Sequence, residues 1–388
     1  MNSALIWLST VSFLLTVVRG SSSYSVVREY SGQTFFDRWT QFGSWDNLTN
    51  GNANFLDQQA AVSERLIYTD GDGRAVIKVD NTSVVSAPSD RNSVRTFVYS
   101  YSIGTLWVVD VAHLPFGCSV WPSIWTTGTE WPSHGEIDII EGVNLMPNNE
   151  YSLHANPGFA VPGNSSQTGK FLTTDCSQGN GCAINETAPN SFGEGFAQNG
   201  GGVWAAQFDT SGIFIWFWSR GNIPVSILNS TSTSDLSISE WGTPSAAYLP
   251  SSTSDIADTF GDQQLVIDIT LCGDWAGLGT FYNATCGSLG RTGLCYNDTV
   301  IGDGANFDDA FFEINYLRAY SNGVVEPSAA VTGTSTASLN VGSPQNLPTV
   351  LPDSSTSGAA SMFFSRWMYV VVMGGGIMSV GISGLGFM

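Results

Sequence analysis

Glu136-Ile137-Asp138-Ile139-Ile140-Glu141, set between Gly135 and Gly142, is the stretch on which the reading of this chain turns. Three acids fall within six residues, and isoleucine fills every gap. Isoleucine favours the extended chain. A strand has no ordinary structural use for three carboxylates, which are costly to bury unless something pairs or uses them. Side chains alternate along a strand, so Glu136 and Asp138 share a face and the next residue on it is Ile140, not Glu141. A β-bulge at Ile139–Ile140 adds one residue and returns Glu141 to the face of the other two. The outer Glu Cα atoms then lie about 13 Å apart, at roughly 3.3 Å per paired step. Side chains leaning together leave about 5–5.5 Å between the carboxyls, the separation of a retaining glycosidase. Asp138 falls between them, placed to hydrogen-bond an ionised nucleophile and to hold like charges apart in pKa. A surface strand with a salt-bridge face is the rival reading, but His134 is the only basic side chain from Glu130 to Glu150.

Composition narrows what such a strand could serve. The chain has 388 residues, 42% hydrophobic, with 13 Trp, enough for one large β domain or two ordinary ones. Charged residues make up only 12%, about half the usual share. The net charge is −20, and Lys78 and Lys170 are the only lysines. Such a composition offers no basic surface for a phosphate backbone, so a nucleic-acid partner is not expected. A neutral polysaccharide suits a chain rich in Trp, Asn, Ser and Gly.

The ends describe a secretory route. Residues 1–20 read as a signal peptide, with an apolar run over Ala4–Val18 and a small-residue site at Val18-Arg19-Gly20, though no Lys or Arg precedes the run. Seven sequons, at Asn47, Asn81, Asn164, Asn185, Asn229, Asn283 and Asn297, agree with secretion and N-glycosylation. Cys118, Cys176, Cys182, Cys272, Cys286 and Cys295 lack CxxC pairs and read as up to three disulfides rather than zinc ligands, with Cys176–Cys182 the simplest local pair. Residues 326–361 are a Ser/Thr/Ala/Pro/Gly stretch expected to be a disordered, O-glycosylated stalk. Residues 362–388 end in an uncharged tail after Arg366, the order of a glycosylphosphatidylinositol attachment signal with Ser357 or Gly358 as the anchor site. A retained membrane span is the alternative, weakened by Gly374-Gly375-Gly376 and by the lack of basic residues after the tail.

Residues 21–325 hold the folded domain. Short strand-like runs separated by Gly, Pro, Asn, Asp and Ser clusters are expected at Ala75–Val79, Ser93–Ser102, Leu106–Val111, Gly135–Glu141 and Glu150–Ala155. Further runs fall at Gly202–Phe208, Ile213–Ser219, Gln264–Leu271 and Ala310–Tyr320. No long 3.6-residue apolar period appears, so helix should be scarce. The pattern predicts an all-β sandwich with long loops framing a cleft.

From Gly135 to Asn144 the sequence resembles glycoside hydrolase family 16, in its fungal endo-β-1,3(4)-glucanase, or laminarinase-like, branch. The likeness extends over most of residues 35–320. It is carried by Arg91–Arg95, His113–Cys118, Trp121–Trp125, Leu153-His154, Gly200–Ala205, Trp216–Arg220, Cys272–Gly277 and Glu313–Tyr320. The resemblance implies a curved β-sandwich jelly roll with its substrate cleft on the concave sheet. It casts Glu136 as nucleophile, Asp138 as assisting acid and Glu141 as general acid/base. The implied activity is hydrolysis of β-glucan with retention; a wall glucan transglycosylase and a non-catalytic surface lectin are the alternatives, and the intact acid set argues against the lectin. Together with the readings of the two ends, the expectation is a monomeric protein, secreted and held at the cell surface or wall by a lipid anchor. It needs no cofactor, with a structural calcium left open. Gly158-Phe159 departs from a Gly-Cys pair usual in the branch, which leaves one disulfide absent or rewired.

Around the acids, Trp125 and Trp131 are expected as sugar-stacking platforms, with core packing as their rival. Trp275 is expected to face the groove, and Trp121 is read as packing. Arg95 matches a substrate-binding position, with a structural ion pair as its rival. His154 is expected beside the carboxylates, where it could tune them.

Overall fold

A computed structural model describes residues 23–323, except 253 and 289. The signal peptide, the stalk and the hydrophobic tail expected from the sequence lie outside the described residues. Two antiparallel sheets dominate. One has eight strands in the spatial order Lys170–Phe171, Ile184–Asn185, Glu150–His154, Glu136–Glu141, Val120–Thr127, Gln263–Leu271, Arg95–Tyr101 and Thr40–Gln41. The other has nine, centred on Ser23–Ser31, Phe311–Ser321, Thr105–His113, Gly202–Asp209 and Gly212–Ser219. The longest helical segments span seven residues, and no helix among the described residues is long and apolar enough to cross a membrane.

The core lies between the sheets. Ile124, Ile137, Ile139, Ile140, Leu153, Leu265, Ile267 and Ile269 from the eight-stranded sheet join one apolar cluster with Trp107, Val109, Trp204, Phe208 and Ile215 from the other. The isoleucines of the acidic stretch are therefore the inward half of an alternating strand, and the acids are its outward half. A second cluster, including Trp216 and Trp241, packs the 220–241 segment onto the far face of the nine-stranded sheet.

All nine anticipated runs contain strands, with ends shifted by a residue or two. Val120–Thr127 was not among them, yet it lies between Glu136–Glu141 and Gln263–Leu271 at the centre of the sheet. Pro122 hides it, since proline removes a ladder donor and argues against a central strand. The partner strand ends at Glu141 opposite Ser123, and beyond that point the segment after it still bonds Val120–Thr127 through the Asn144 N–H to the Val120 carbonyl at 2.9 Å.

All six cysteines are paired, as Cys118–Cys286, Cys272–Cys295 and Cys176–Cys182. At the site of the departure from the branch, Phe159 is buried edge-on against Phe260 at 5.6 Å. An aromatic contact occupies the place where a bridge was in doubt.

Candidate active site

The register brings the three acids to one face. Opposite them on Val120–Thr127 stand Thr127 for Glu136, Trp125 for Asp138 and Ser123 for Glu141. Those partners are two apart on a regular strand and so share a face; the acids must share it too. The extra residue lies between Asp138 and Ile140, and the same slip recurs against Glu150–His154, where Asp138 faces Ser152 and Glu141 faces Glu150. The predicted bulge is present, and Ile139, 2% exposed, is packed in the core. Glycines close the strand for steric reasons. A Cβ on Gly135 would come within 2.2 Å of the Phe260 ring, and one on Gly142 within 2.7 Å of Phe192.

Three side-chain rows cross the sheet on this outer face. Glu150, Glu141, Ser123, Asp268 and Arg95 form one. Ser152, Asp138, Trp125, Val266 and Phe97 form the middle row, and His154, Glu136, Thr127 and Gln264 the third. Ser152 Oγ donates to Asp138 Oδ2 at 2.6 Å, and Trp121 Nε1 donates to Glu141 Oε1 at 2.8 Å. His154 Nε2 lies 3.7 Å from Glu136 Oε1 and 3.5 Å from Asp138 Oδ2.

Burial sets the electrostatics. It raises the Glu136 carboxyl well above the usual range, helped by the Asp138 and Glu141 charges and opposed by a hydrogen bond from Trp131. Glu141 is raised well above that range by burial and then by Asp138, with the Trp121 N–H opposing. Asp138 is pushed up to about 7, first by burial, against the Ser152 hydrogen bond. Burial also pushes Glu150 up to about 7 and holds His154 down to about 4. At neutral pH His154 is therefore uncharged, and the cluster carries fewer negative charges than carboxyls. A raised carboxyl beside others that share the proton load is what acid/base work near neutrality requires. The donor atoms of Glu136, Asp138 and His154 also lie within 4.8 Å of one another, close enough to hold a cation.

The remaining predicted residues divide. Trp131, 39% exposed, has its ring 6.4 Å from His154 and flanks Glu136. Trp275 is half-buried and meets the Trp121 ring edge-on at 5.6 Å, which puts it at the Glu141 end. Trp125 lies on the floor but is only 7% exposed, packed with Phe97 and Val266, and donates from Nε1 to Asp268 Oδ1 at 3.2 Å. Arg95 does not offer itself to a ligand. It is 1% exposed, bonds Asp268 Oδ2 from Nε at 2.6 Å and Asp46 Oδ1 from Nη2 at 3.0 Å, and stacks on Phe55. The ion-pair reading is the one its geometry supports: it holds Asp268, which in turn holds Trp125. Trp121, read as packing, is corrected to a direct partner of Glu141. Its signal was available, since Trp121 and Trp125 are four apart on one strand and share a face. Glu150 was missed although alternation from His154 through Ser152 points straight to it. Among the sequons, Asn164, Asn229, Asn283 and Asn297 are exposed. Asn47, Asn81 and Asn185 are half-buried, and Asn47 Oδ1 accepts from Arg95 Nη1 at 3.3 Å.

Comparison with known proteins decides the family. The model of the XgeA-like catalytic domain of glycoside hydrolase family 16 matches residues 39–320. The chain belongs to glycoside hydrolase family 16. It therefore carries a catalytic domain of that family, on the all-β jelly roll anticipated above. A probable endo-1,3(4)-beta-glucanase of Aspergillus fumigatus is 35% identical over 343 residues, covering 86% of this chain and 51% of the relative. The endo-1,3(4)-beta-glucanase of Arthroderma benhamiae is 32% identical over 353 residues, covering 85% and 75%. The chain spans about half the length of the first curated relatives it matches. Among solved structures, laminarinase 16A of Phanerochaete chrysosporium, with 6-O-glucosyl-laminaritriose in donor and acceptor sites, superposes with a TM-score of 0.71 at 32% identity. It covers 77% of this chain and is itself covered completely. An elongating family 16 beta-1,3-glucosyltransferase superposes at 0.70 with 34% identity and the same coverage.

Proposed function

We propose that this chain is a retaining endo-β-1,3(4)-glucanase that cleaves β-glucan through a covalent glycosyl-enzyme. The observation that carries the reading is the bulged register that turns Glu136, Asp138 and Glu141 onto one face. Glu141, protonated, gives its proton to the glycosidic oxygen while the Glu136 carboxylate attacks the anomeric carbon; the glycosidic C–O bond breaks and an ester forms. Glu141, now ionised, takes a proton from water as that water attacks the anomeric carbon and releases Glu136. The N–H of Trp121 steadies Glu141 in its ionised half of the cycle, and Asp138, held by Ser152, stands between the two. Trp131 and Trp275, at opposite ends of the acid row, are the sugar platforms. The named glucanase relatives support the substrate class. The test is digestion of laminarin, lichenan and agarose by the mature protein and by a Glu136→Gln variant. Laminarin and lichenan should be cut to oligosaccharides by the first alone, and equal activity of the two proteins on every polymer refutes the assignment.

Transfer to a second sugar is the alternative outcome of the same intermediate, favoured by the likeness to an elongating glucosyltransferase. Product length after incubation with laminarioligosaccharides separates the two, since transfer yields products longer than the substrate. We further propose that the protein is a monomer, secreted, N-glycosylated at the exposed Asn164, Asn229, Asn283 and Asn297, and held at the cell surface by a lipid anchor. Release from membranes by a phosphatidylinositol-specific phospholipase, and peptide mass mapping after deglycosylation, check the anchor and the glycans.

A further inference from the structure

A bulge that turns Glu141 toward the floor must break the ladder. Between the pairs Asp138–Ser152 and Glu141–Glu150, two residues of the acid strand face one of its neighbour, and the backbone groups around them lose their cross-strand partners. Buried backbone groups left unpaired are costly. Here one side chain supplies the missing bonds. Asn149 is 0% exposed; its Oδ1 accepts from the Glu141 N–H at 3.0 Å, and its Nδ2 donates to the Ile139 carbonyl at 3.1 Å. The same Nδ2 reaches the Glu150 carbonyl at 3.2 Å. The orientation of the amide is dictated by its partners, since an N–H can only donate and a carbonyl only accept. Asn149 is itself anchored: its N–H donates to Ser191 Oγ at 3.1 Å, and its carbonyl accepts from the Glu186 N–H at 2.9 Å.

We propose that Asn149 is a positioning residue for the acid/base: its amide stands in for the ladder bonds that the bulge removes and so fixes Glu141 on the catalytic face. No other side chain of that length carries a donor and an acceptor together. Aspartate accepts but cannot donate when ionised, alanine does neither, and glutamine is longer by one methylene. The proposal rests on Glu141 being the acid/base, and a displacement of about 1 Å in such a group can cost 10²-fold in rate.

The test separates positioning from mere structural support. A 2,4-dinitrophenyl β-laminaribioside has a leaving group that departs without a proton, so its attack by Glu136 needs no acid. Azide then attacks the anomeric carbon with no proton to remove, giving the glycosyl azide and freeing Glu136. Asn149→Asp and Asn149→Ala should lower kcat on laminarin by about 10²-fold, yet keep turnover of the aryl substrate in azide within about threefold of the unaltered enzyme. Glu141→Ala should show the same split. A parallel loss on both substrates, or undiminished kcat on laminarin, overturns the proposal. If the Asn149 variants do not fold, Ser191→Ala, which loosens the anchor and leaves the amide in place, provides the reading. A selective loss on laminarin supports the positioning role, and no loss or an equal loss on both substrates overturns it. Should Glu141→Ala itself retain full activity on laminarin, the assignment of the acid/base fails, separately from any effect of Asn149 on the strand.

Discussion

Two residues on either side of Glu141 pull its proton affinity in opposite directions. The Trp121 N–H favours the ionised form; replacing it by Phe removes a hydrogen bond to a charged group, worth about 1.5–3 kcal/mol. Trp121→Phe should move the basic limb of the kcat/KM profile on laminarin upward, by about one pH unit or more. Glu150 stands directly opposite Glu141 in the ladder, and its charge disfavours ionisation of Glu141. Glu150→Gln should therefore move the same limb downward. Two shifts of the same sign would show that the limb does not report Glu141.

The acid strand, as an element, is closed by glycines whose neighbours leave no room. Gly142→Ala forces a methyl against Phe192 and should cost about 1–3 kcal/mol by overpacking. Phe192→Leu in the same chain should recover part of that loss, as a double-mutant cycle in chemical denaturation would show. The excursion that carries Trp275 is closed by Cys272–Cys295 and pinned from within to the segment beside the central strand by Cys118–Cys286. Replacing Cys272 and Cys295 by Ala should lower stability by about 2–5 kcal/mol, and should raise KM on laminarin by freeing the Trp275 loop.

At the scale of the whole domain, the concentration of buried and half-buried acids on one face ties stability to pH. Glu150 and Asp138 have folded values of about 7, above their ordinary values of 4.5 and 3.8. Their contribution is full below the ordinary values and is lost as pH rises toward 7. His154, lowered from 6.5 to about 4, works the other way, its contribution being lost as pH falls through that window. Glu136 and Glu141 are raised as well, so the carboxyls prevail. The urea midpoint of the free protein should fall between pH 5 and pH 7, and fall less steeply in Glu150→Gln. A midpoint that rises over that range would show that the acids are less buried than the fold places them.

Alternation and composition were enough to read the all-β class, the need for a bulge, and the face on which Glu136, Asp138 and Glu141 meet, because strand periodicity is local and three acids among isoleucines admit few arrangements. Cys176–Cys182 was legible for the same reason. What required the folded chain was every relation across strands. Trp121 looked like packing until the neighbouring strand brought Glu141 under its indole N–H. Arg95 looked available until Asp268 and Asp46, from distant segments, enclosed it. Alternation alone placed Glu150 on the face of Ser152 and His154, but that it stands opposite Glu141, and that Asn149 bonds the Glu141 N–H, became visible only in the ladder. A strand's own sequence determines which face its side chains take, whereas the register that decides what they meet is set by contacts between segments far apart in the chain.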